Sequence, residues 1–381
     1  MLYVGLDLSR KRLDFDARLA GGELVERGAV PPDPDGLAGL VRRLGDSEVL
    51  AVIESMNGAR FVHDRLELSG WDVRIADAVK AKGLAPLACK TDKIDAWVLA
   101  ELARRDLVPE IWLPDPAVRA ERERARFRLH LVRHRTALKN RVHAILIAHG
   151  IPNPSSDLFG LAGRRLLERL ELPEPWKSTT AASLTLIDSL DQQINACERE
   201  LRSLGADHPY VPLLMTIPGI AWILAYTIAS EIGDIGRFPT PTKLIGYTGL
   251  TPRVDQSGEQ DRRGPLRKNG PNHLRWALVE AAHTASRHPL YQPILERNRD
   301  RHGRKRGSKI AALTIARKLT EATWHMLSKN QPFAPAGATR PLAPCRPRTE
   351  LRYRSDSHQL ISARRRHREM SRTQNPPRIR R

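Results

Sequence analysis

Residues 2–28, LYVGLDLSRKRLDFDARLAGGELVERG, decide how the chain begins to fold. The apolar run 2–7 reads as a buried strand that ends in a carboxylate, Asp7. Residues 13–20 and 23–28 flank Gly21-Gly22 as the two arms of a hairpin do. A sheet therefore opens with an antiparallel meander. The pattern then changes to alternation: helical spacing over 35–44, a second buried strand over 49–53 that ends in Glu54, a helix over 60–68 and a strand over 71–75. In an open α/β sheet, ligands gather at the carboxyl ends of strands, and both Asp7 and Glu54 fall there.

Residues 91–102, TDKIDAWVLAEL, come next as an amphipathic helix with Ile94, Trp97, Val98 and Leu102 on one stripe. Asp92 and Asp95 stand three apart in its first turn, so their side chains are surface neighbours. Acids in this position either complement the helix dipole or share a cation. Asp7 and Glu54 weigh on the second side, because two strand-end acids and two helix acids make an oxygen-only donor set suited to a hard divalent cation. Magnesium is the expected occupant. A meander followed by strand and helix in alternation predicts an α/β RNase H-like, RuvC-like domain over residues 1–112.

The chain has 381 residues, a formal net charge of +20 and 41% hydrophobic residues, enough for several cores and the electrostatic signature of a polyanion binder. No run approaches the roughly 20 apolar residues of a membrane span, so a cytoplasmic protein without a membrane partner is expected. Cys89, Cys197 and Cys345 are far apart, which points away from a disulfide framework and from a cysteine zinc site.

Residues 117–150 read as one long helix, and 180–204 resume apolar spacing at Leu184, Ile187, Leu190 and Ile194. Together they predict an antiparallel coiled-coil hairpin within a helical region, 113–208. The first helix carries Arg126, Arg128, Arg133, Arg135, Lys139 and Arg141, either a solvated face or a track along phosphate. A mainly helical domain, 209–331, opens with Pro218-Gly219-Ile220, which resembles a helix-hairpin-helix turn with Ala221 in place of a second glycine. It continues into a polar loop, 251–264, where Ser257 lies among Arg253, Arg262 and Arg263, with Arg267 and Lys268 close behind. Ser257 is either a turn residue or a group meant for a phosphodiester held by these cations. From Phe333 onward thirteen arginines face three acids, so residues 332–381 read as a disordered basic tail supplying +10 of the net charge.

Asp7, Glu54, the TDKIDA run, GYTGLTPR at 246–253, PRVDQSGEQDRRG at 252–264 and HLRWALVEAA from His273 together resemble a DEDD transposase of the insertion-sequence family whose elements encode a bridge RNA. The resemblance implies that Asp7, Glu54, Asp92 and Asp95 form a magnesium-binding tetrad, and that Ser257 of the Tnp domain attacks a DNA phosphate to give a phosphoserine intermediate. It further implies donor and target DNA and a bridge RNA as partners, and a dimer or tetramer. Arg267 departs from the family, which tends to show Ser or Thr there. Two other readings of the same residues are a RuvC-like nuclease that uses water and a nucleic-acid-binding module without catalysis.

Overall fold

The computed structural model describes residues 1–84, 92–152, 157–257 and 260–335, apart from the side chains of residues 92, 93, 254–257 and 260–263. The chain forms two compact units, Met1–Asp115 and Pro116–Arg381.

In the first unit β1 (Leu2–Leu8), β2 (Leu13–Arg18) and β3 (Leu24–Val30) make the expected meander. α1 (Pro34–Leu44) leads to β4 (Val49–Glu54), and α2 (Ala59–Leu68) leads to β5 (Asp72–Ala76). α3 (Ala78–Leu84) and α4 (Asp92–Arg104) complete the unit. The sheet order is β3-β2-β1-β4-β5, with β4 and β5 parallel to their neighbours. Period-two alternation separates its faces. Leu2, Val4, Leu6 and Leu8 of β1 and Val49, Ala51 and Ile53 of β4 pack with Leu40, Val62 and Leu66 of α1 and α2. Leu50 and Val52 pack on the other side with Leu99 and Ala103 of α4. The result is the expected α/β arrangement, with helices on both faces of the sheet.

How α4 sits on this sheet corrects the sequence reading. Its fully buried residues are Ala96, Leu99, Ala100, Leu102 and Ala103, whereas Ile94, Trp97 and Val98 are only half-buried. The cause is Gly5: a Cβ there would stand 1.8 Å from the Ala96 carbonyl oxygen and 2.5 Å from the Ala100 nitrogen. The helix rests on bare strand backbone, and at that separation only small side chains fit beneath it. At its far end Arg104 donates to the carbonyl of Ala20 at 3.1 Å, in the β2–β3 turn. That turn lies beside the start of β1, since Arg18 pairs with Tyr3. α4 therefore runs antiparallel to β1, with its first turn toward Asp7.

The second unit contains α5 (Pro116–Ala148), α6 (Leu161–Arg169), α7 (Trp176–Ala206), α8 (Val211–Leu214), α9 (Trp222–Ile232) and α10 (Pro241–Thr248). These are followed by β6 (Pro252–Ser257), β7 (Gln260–Leu266), α11 (Asn272–Ala285), α12 (Gln292–His302) and α13 (Arg304–Lys329). α5 and α7 pair through Arg124–Glu200 at 2.9 Å, Arg128–Glu198 at 2.5 Å and Arg135–Asp191 at 2.5 Å. One set of numbers rises as the other falls, so the helices are antiparallel, as expected. An unbroken heptad shows on α7, where Thr180, Ile187, Ile194 and Leu201 are buried. On α5 Arg122, Ala125, Leu129 and Leu146 keep that register, but buried Leu131, Val142 and Ile145 fall off it, so a regular coiled-coil seam does not follow from this pair.

Two further expectations change. The polar loop is a β-hairpin, β6 against β7, with Ser257 opposite Gln260. In the PGI turn, Gly219 has φ +87°, and a Cβ on it would meet the Ala281 oxygen at 2.5 Å and the Ala285 nitrogen at 2.7 Å. That turn is pressed against α11, and its glycine serves helix packing. Tyr226, Ile228, Leu278, Ala281, Ile315 and Leu319 form the core around α9, α11 and α13. Pro332 is buried, and Phe333 packs on this core while its amide donates to Thr216 Oγ1 at 2.9 Å. The ordered fold thus reaches past residue 331, while residues 336–381, most of the expected tail, lie outside the described residues. Among the described residues no helix is long and apolar enough to cross a membrane.

Candidate active site

Leu6 pairs with Ile53 across parallel β1 and β4, and the next residue on each strand is an acid: Asp7 and Glu54. Neighbouring strands are about 4.8 Å apart, which brings the two backbones that close. Alternation puts Asp7 with Tyr3 and Gly5, and Glu54 with Leu50 and Val52, on the face covered by α4. Asp95 precedes Ala96, the residue seated on Gly5, and is half-buried. Asp92 opens α4 one turn earlier, with its side chain outside the described residues. Three predicted acids and the helix start that bears the fourth thus share one face and one edge of the sheet. Ser55, Met56, Asn57, Arg60, Ile111 and Trp112 line an open cleft of about 390 Å³ directly beyond Glu54.

The donor chemistry of these acids fits a hard divalent cation, since each offers only carboxylate oxygen. Among the described residues, no three His, Cys, Asp or Glu side chains form a group that could hold a metal ion. Two acids on the same face escaped the sequence reading. Asp14 lies opposite Asp7, is 3% exposed and receives two hydrogen bonds from Arg12 at 2.8 and 2.7 Å. Asp16 is fully buried and accepts from Arg18 and Arg27, both at 2.7 Å. A signal was present in LDFDAR, where acids recur every second residue and therefore line one side of a strand. Each is neutralised by arginines of the same meander.

Ser257 ends β6, with only residues 258 and 259, outside the described residues, between it and Gln260. Arg262 and Arg263 occupy β7 opposite Asp255 and Val254; the side chains of all four lie outside the described residues, as does that of Ser257. Arg253, Arg267 and Lys268 are exposed at the hairpin base, where the Arg267 amide donates to Thr251 at 2.9 Å and Lys268 has φ +54°. The serine and five cations expected around it therefore share one short hairpin and its root. The acids belong to the first unit and the serine to the second.

The basic face of α5 proves to be largely committed inside the fold. Arg126 grips fully buried Glu231 of α9 at 2.7 and 2.9 Å, and Arg122 donates to the carbonyls of Ser230 and Glu231 at 2.8 and 2.5 Å. The hydrogen bond to Glu231 holds the Arg126 guanidinium above its ordinary pKa. His273 Nδ1 lies 4.0 Å from the same carboxylate; burial, with Arg126 and Arg133 nearby, pushes its pKa down. Glu231 was visible in the sequence as one acid within an apolar helix, a placement that demands a partner.

Residues 211–297 match the family described as Transposase IS116/IS110/IS902 family, and residues 4–150 match a DEDD transposase profile of the IS110 type. The chain is 28% identical over 295 residues to the transposase for insertion sequence element IS1328 of Yersinia enterocolitica, covering 75% of this chain and 85% of that relative. It is 23% identical over 262 residues to the transposase for insertion sequence element IS1111A of Coxiella burnetii, 64% of this chain and 68% of that relative. The pilin gene-inverting protein of Moraxella bovis is 31% identical over 154 residues, 40% of this chain and 45% of its own length.

Proposed function

We propose that this chain, which belongs to the IS116/IS110/IS902 family of insertion-sequence transposases, breaks and rejoins DNA with Ser257 as the attacking group. The observation that carries the reading is the placement of Asp7, Glu54 and Asp95 on one face and edge of the first sheet, with Asp92 starting the same helix. Carboxylates gathered in this way offer only hard oxygen donors, so these four would hold a divalent metal, magnesium by preference. When bound, that metal supplies charge stabilisation at a phosphate.

Rejoining DNA without an outside energy source requires the phosphodiester energy to be stored, and a serine–phosphate bond stores it. The Ser257 hydroxyl attacks a phosphorus, the serine oxygen–phosphorus bond forms, and one strand leaves with its hydroxyl. Attack by that or another strand hydroxyl reverses the exchange. Arg253, Arg262, Arg263, Arg267 and Lys268 share the hairpin region with the serine, where cations offset the charge of a phosphate in displacement. An RNA encoded by the element and an assembly of two or four chains complete the proposal, the RNA pairing with donor and target DNA.

A full-length Ser257→Ala protein, incubated with end-labelled donor and target duplexes, RNA and magnesium, tests the central step. The wild-type chain should leave a protein–DNA adduct on a denaturing gel, and the variant none while still binding both nucleic acids. Strand cleavage by Ser257→Ala at the wild-type rate would replace this reading with a nuclease that uses water.

A further inference from the structure

Helices α12 and α13 meet at a corner that none of the roles above uses. Residues 296–309, ERNRDRHGRKRGSK, hold seven Lys and Arg against Glu296 and Asp300. Arg297, Arg301, Arg304, Lys305, Arg306 and Lys309 are all exposed, and none makes an ion pair among the described residues. Glu296 is engaged by Gln292 instead, at 2.7 Å.

This corner is rigid. A Cβ on Gly307 would meet the Asn298 oxygen at 2.2 Å and the Arg299 Cα at 2.6 Å, so the two helices touch backbone to backbone. Gly303, with φ +77°, turns the chain between them, and Arg299 donates to Ser308 Oγ at 2.9 Å across the junction. The cations are therefore held on a fixed backbone, and a ligand need not order it to use them.

Their position is costly for an isolated fold. Arg304, Lys305 and Arg306 fill the first turn of α13, which contains no acid and has no side-chain cap. The helix dipole disfavours cations there. Clustering six cations without an ion pair among the described residues adds mutual repulsion, which a polyanion would remove.

We propose that the α12–α13 corner is a docking surface for the phosphate backbone of duplex DNA, outside the hairpin that carries Ser257. This rests on the transposase reading. Residues 292–309 contain no Phe, Tyr or Trp, so the surface lacks the stacking groups that single-stranded nucleic acid uses. Long cationic side chains on a stiff corner instead suit the regular phosphates of a duplex, with contact independent of sequence.

Full-length wild-type chain and an Arg301→Gln/Arg304→Gln/Lys305→Gln variant are titrated with a labelled duplex of arbitrary sequence over a range of salt. Each lost phosphate contact removes about 0.9 from the slope of log K against log salt, so the slope should fall by about 2.7. At about 0.15 M salt that is a loss of affinity on the order of a hundredfold. In parallel, acylation of Lys305 and Lys309 in the wild-type chain is followed by mass spectrometry with and without saturating duplex. Several-fold protection of both lysines is expected, and it decides the outcome if the basic residues beyond 335 dominate the slope. Lysines that react equally fast with and without duplex overturn the proposal. So does a double-stranded RNA of equal length whose binding suffers while DNA binding does not. A wild-type chain that binds no duplex at all would instead defeat the transposase reading on which the surface depends.

Discussion

α5 and the α12–α13 corner are both rich in arginine, yet the fold treats them in opposite ways. Nine Lys and Arg on α5 face only Glu121 and Glu123 of that helix, and five of the arginines find acids elsewhere: Arg122 and Arg126 share Glu231, and Arg124, Arg128 and Arg135 take Glu200, Glu198 and Asp191. The corner has a similar excess and, among the described residues, no such partners. Charge counted along a sequence therefore does not locate a polyanion surface. What locates it is whether the fold delivers acids to those cations, and α7 and α9 deliver them to α5 and not to the corner.

The strongest way to break this contrast is to remove the acid at its centre. Glu231→Ala leaves Arg126 and Arg122 facing a buried gap, and removal of one partner from a buried pair costs about 3–5 kcal/mol. Because the Arg126 side chain is 38% exposed, the lower end, about 3 kcal/mol, is expected. Chemical denaturation followed at the second unit measures it, and a loss well under 1 kcal/mol would mean that α5 is no more committed than the corner.

A smaller effect sharpens the same side through pH. Burial holds the His273 pKa below its ordinary 6.5, with Arg126 acting in the same direction. As pH falls through about 6.5 the unfolded chain takes up a proton that the folded chain resists, so stability declines until the folded His273 also protonates. His273→Gln should flatten that part of the stability–pH curve and leave the curve above pH 7 in shape unchanged. An identical slope in both proteins would remove His273 from the buried cluster's electrostatics.

The smallest effect belongs to the corner. Arg304→Gln should stabilise the fold slightly, by about 0.3–1 kcal/mol, because it takes a cation away from a helix N-terminus. A destabilisation of that size, read from the same denaturation curves, would reveal an acid partner and erase the difference between the two regions.

The sheet was legible because its strands are apolar on both faces or alternate cleanly, and because Asp7 and Glu54 interrupt those runs at their ends. The seating of α4 was not, since a helical stripe built on Ile94, Trp97 and Val98 assumes that the largest apolar residues face inward. Gly5 reverses the ranking by bringing the helix so close that Ala96 and Ala100 win the inner positions. The Ser257 hairpin hid for a different reason: PRVDQS and QDRRGPL have no apolar face, so the period of two leaves no hydropathy trace. Glu231 and the α7 acids were present in the sequence, but their pairing with α5 depends on contacts between residues 56 to 105 positions apart.

Where α4 meets Gly5, main chain touches main chain, and that gives the acidic edge an unusual kind of tolerance. Side chains that space a helix from a sheet hop between rotamers and can be swapped for neighbours of another length, so the gap they set is adjustable. Here the spacing has no adjustable part. The spacing between the strand that ends in Asp7 and the helix turn that carries Asp95 is set at the backbone, as a machined stop sets the travel of a bolt, by two hard surfaces in contact.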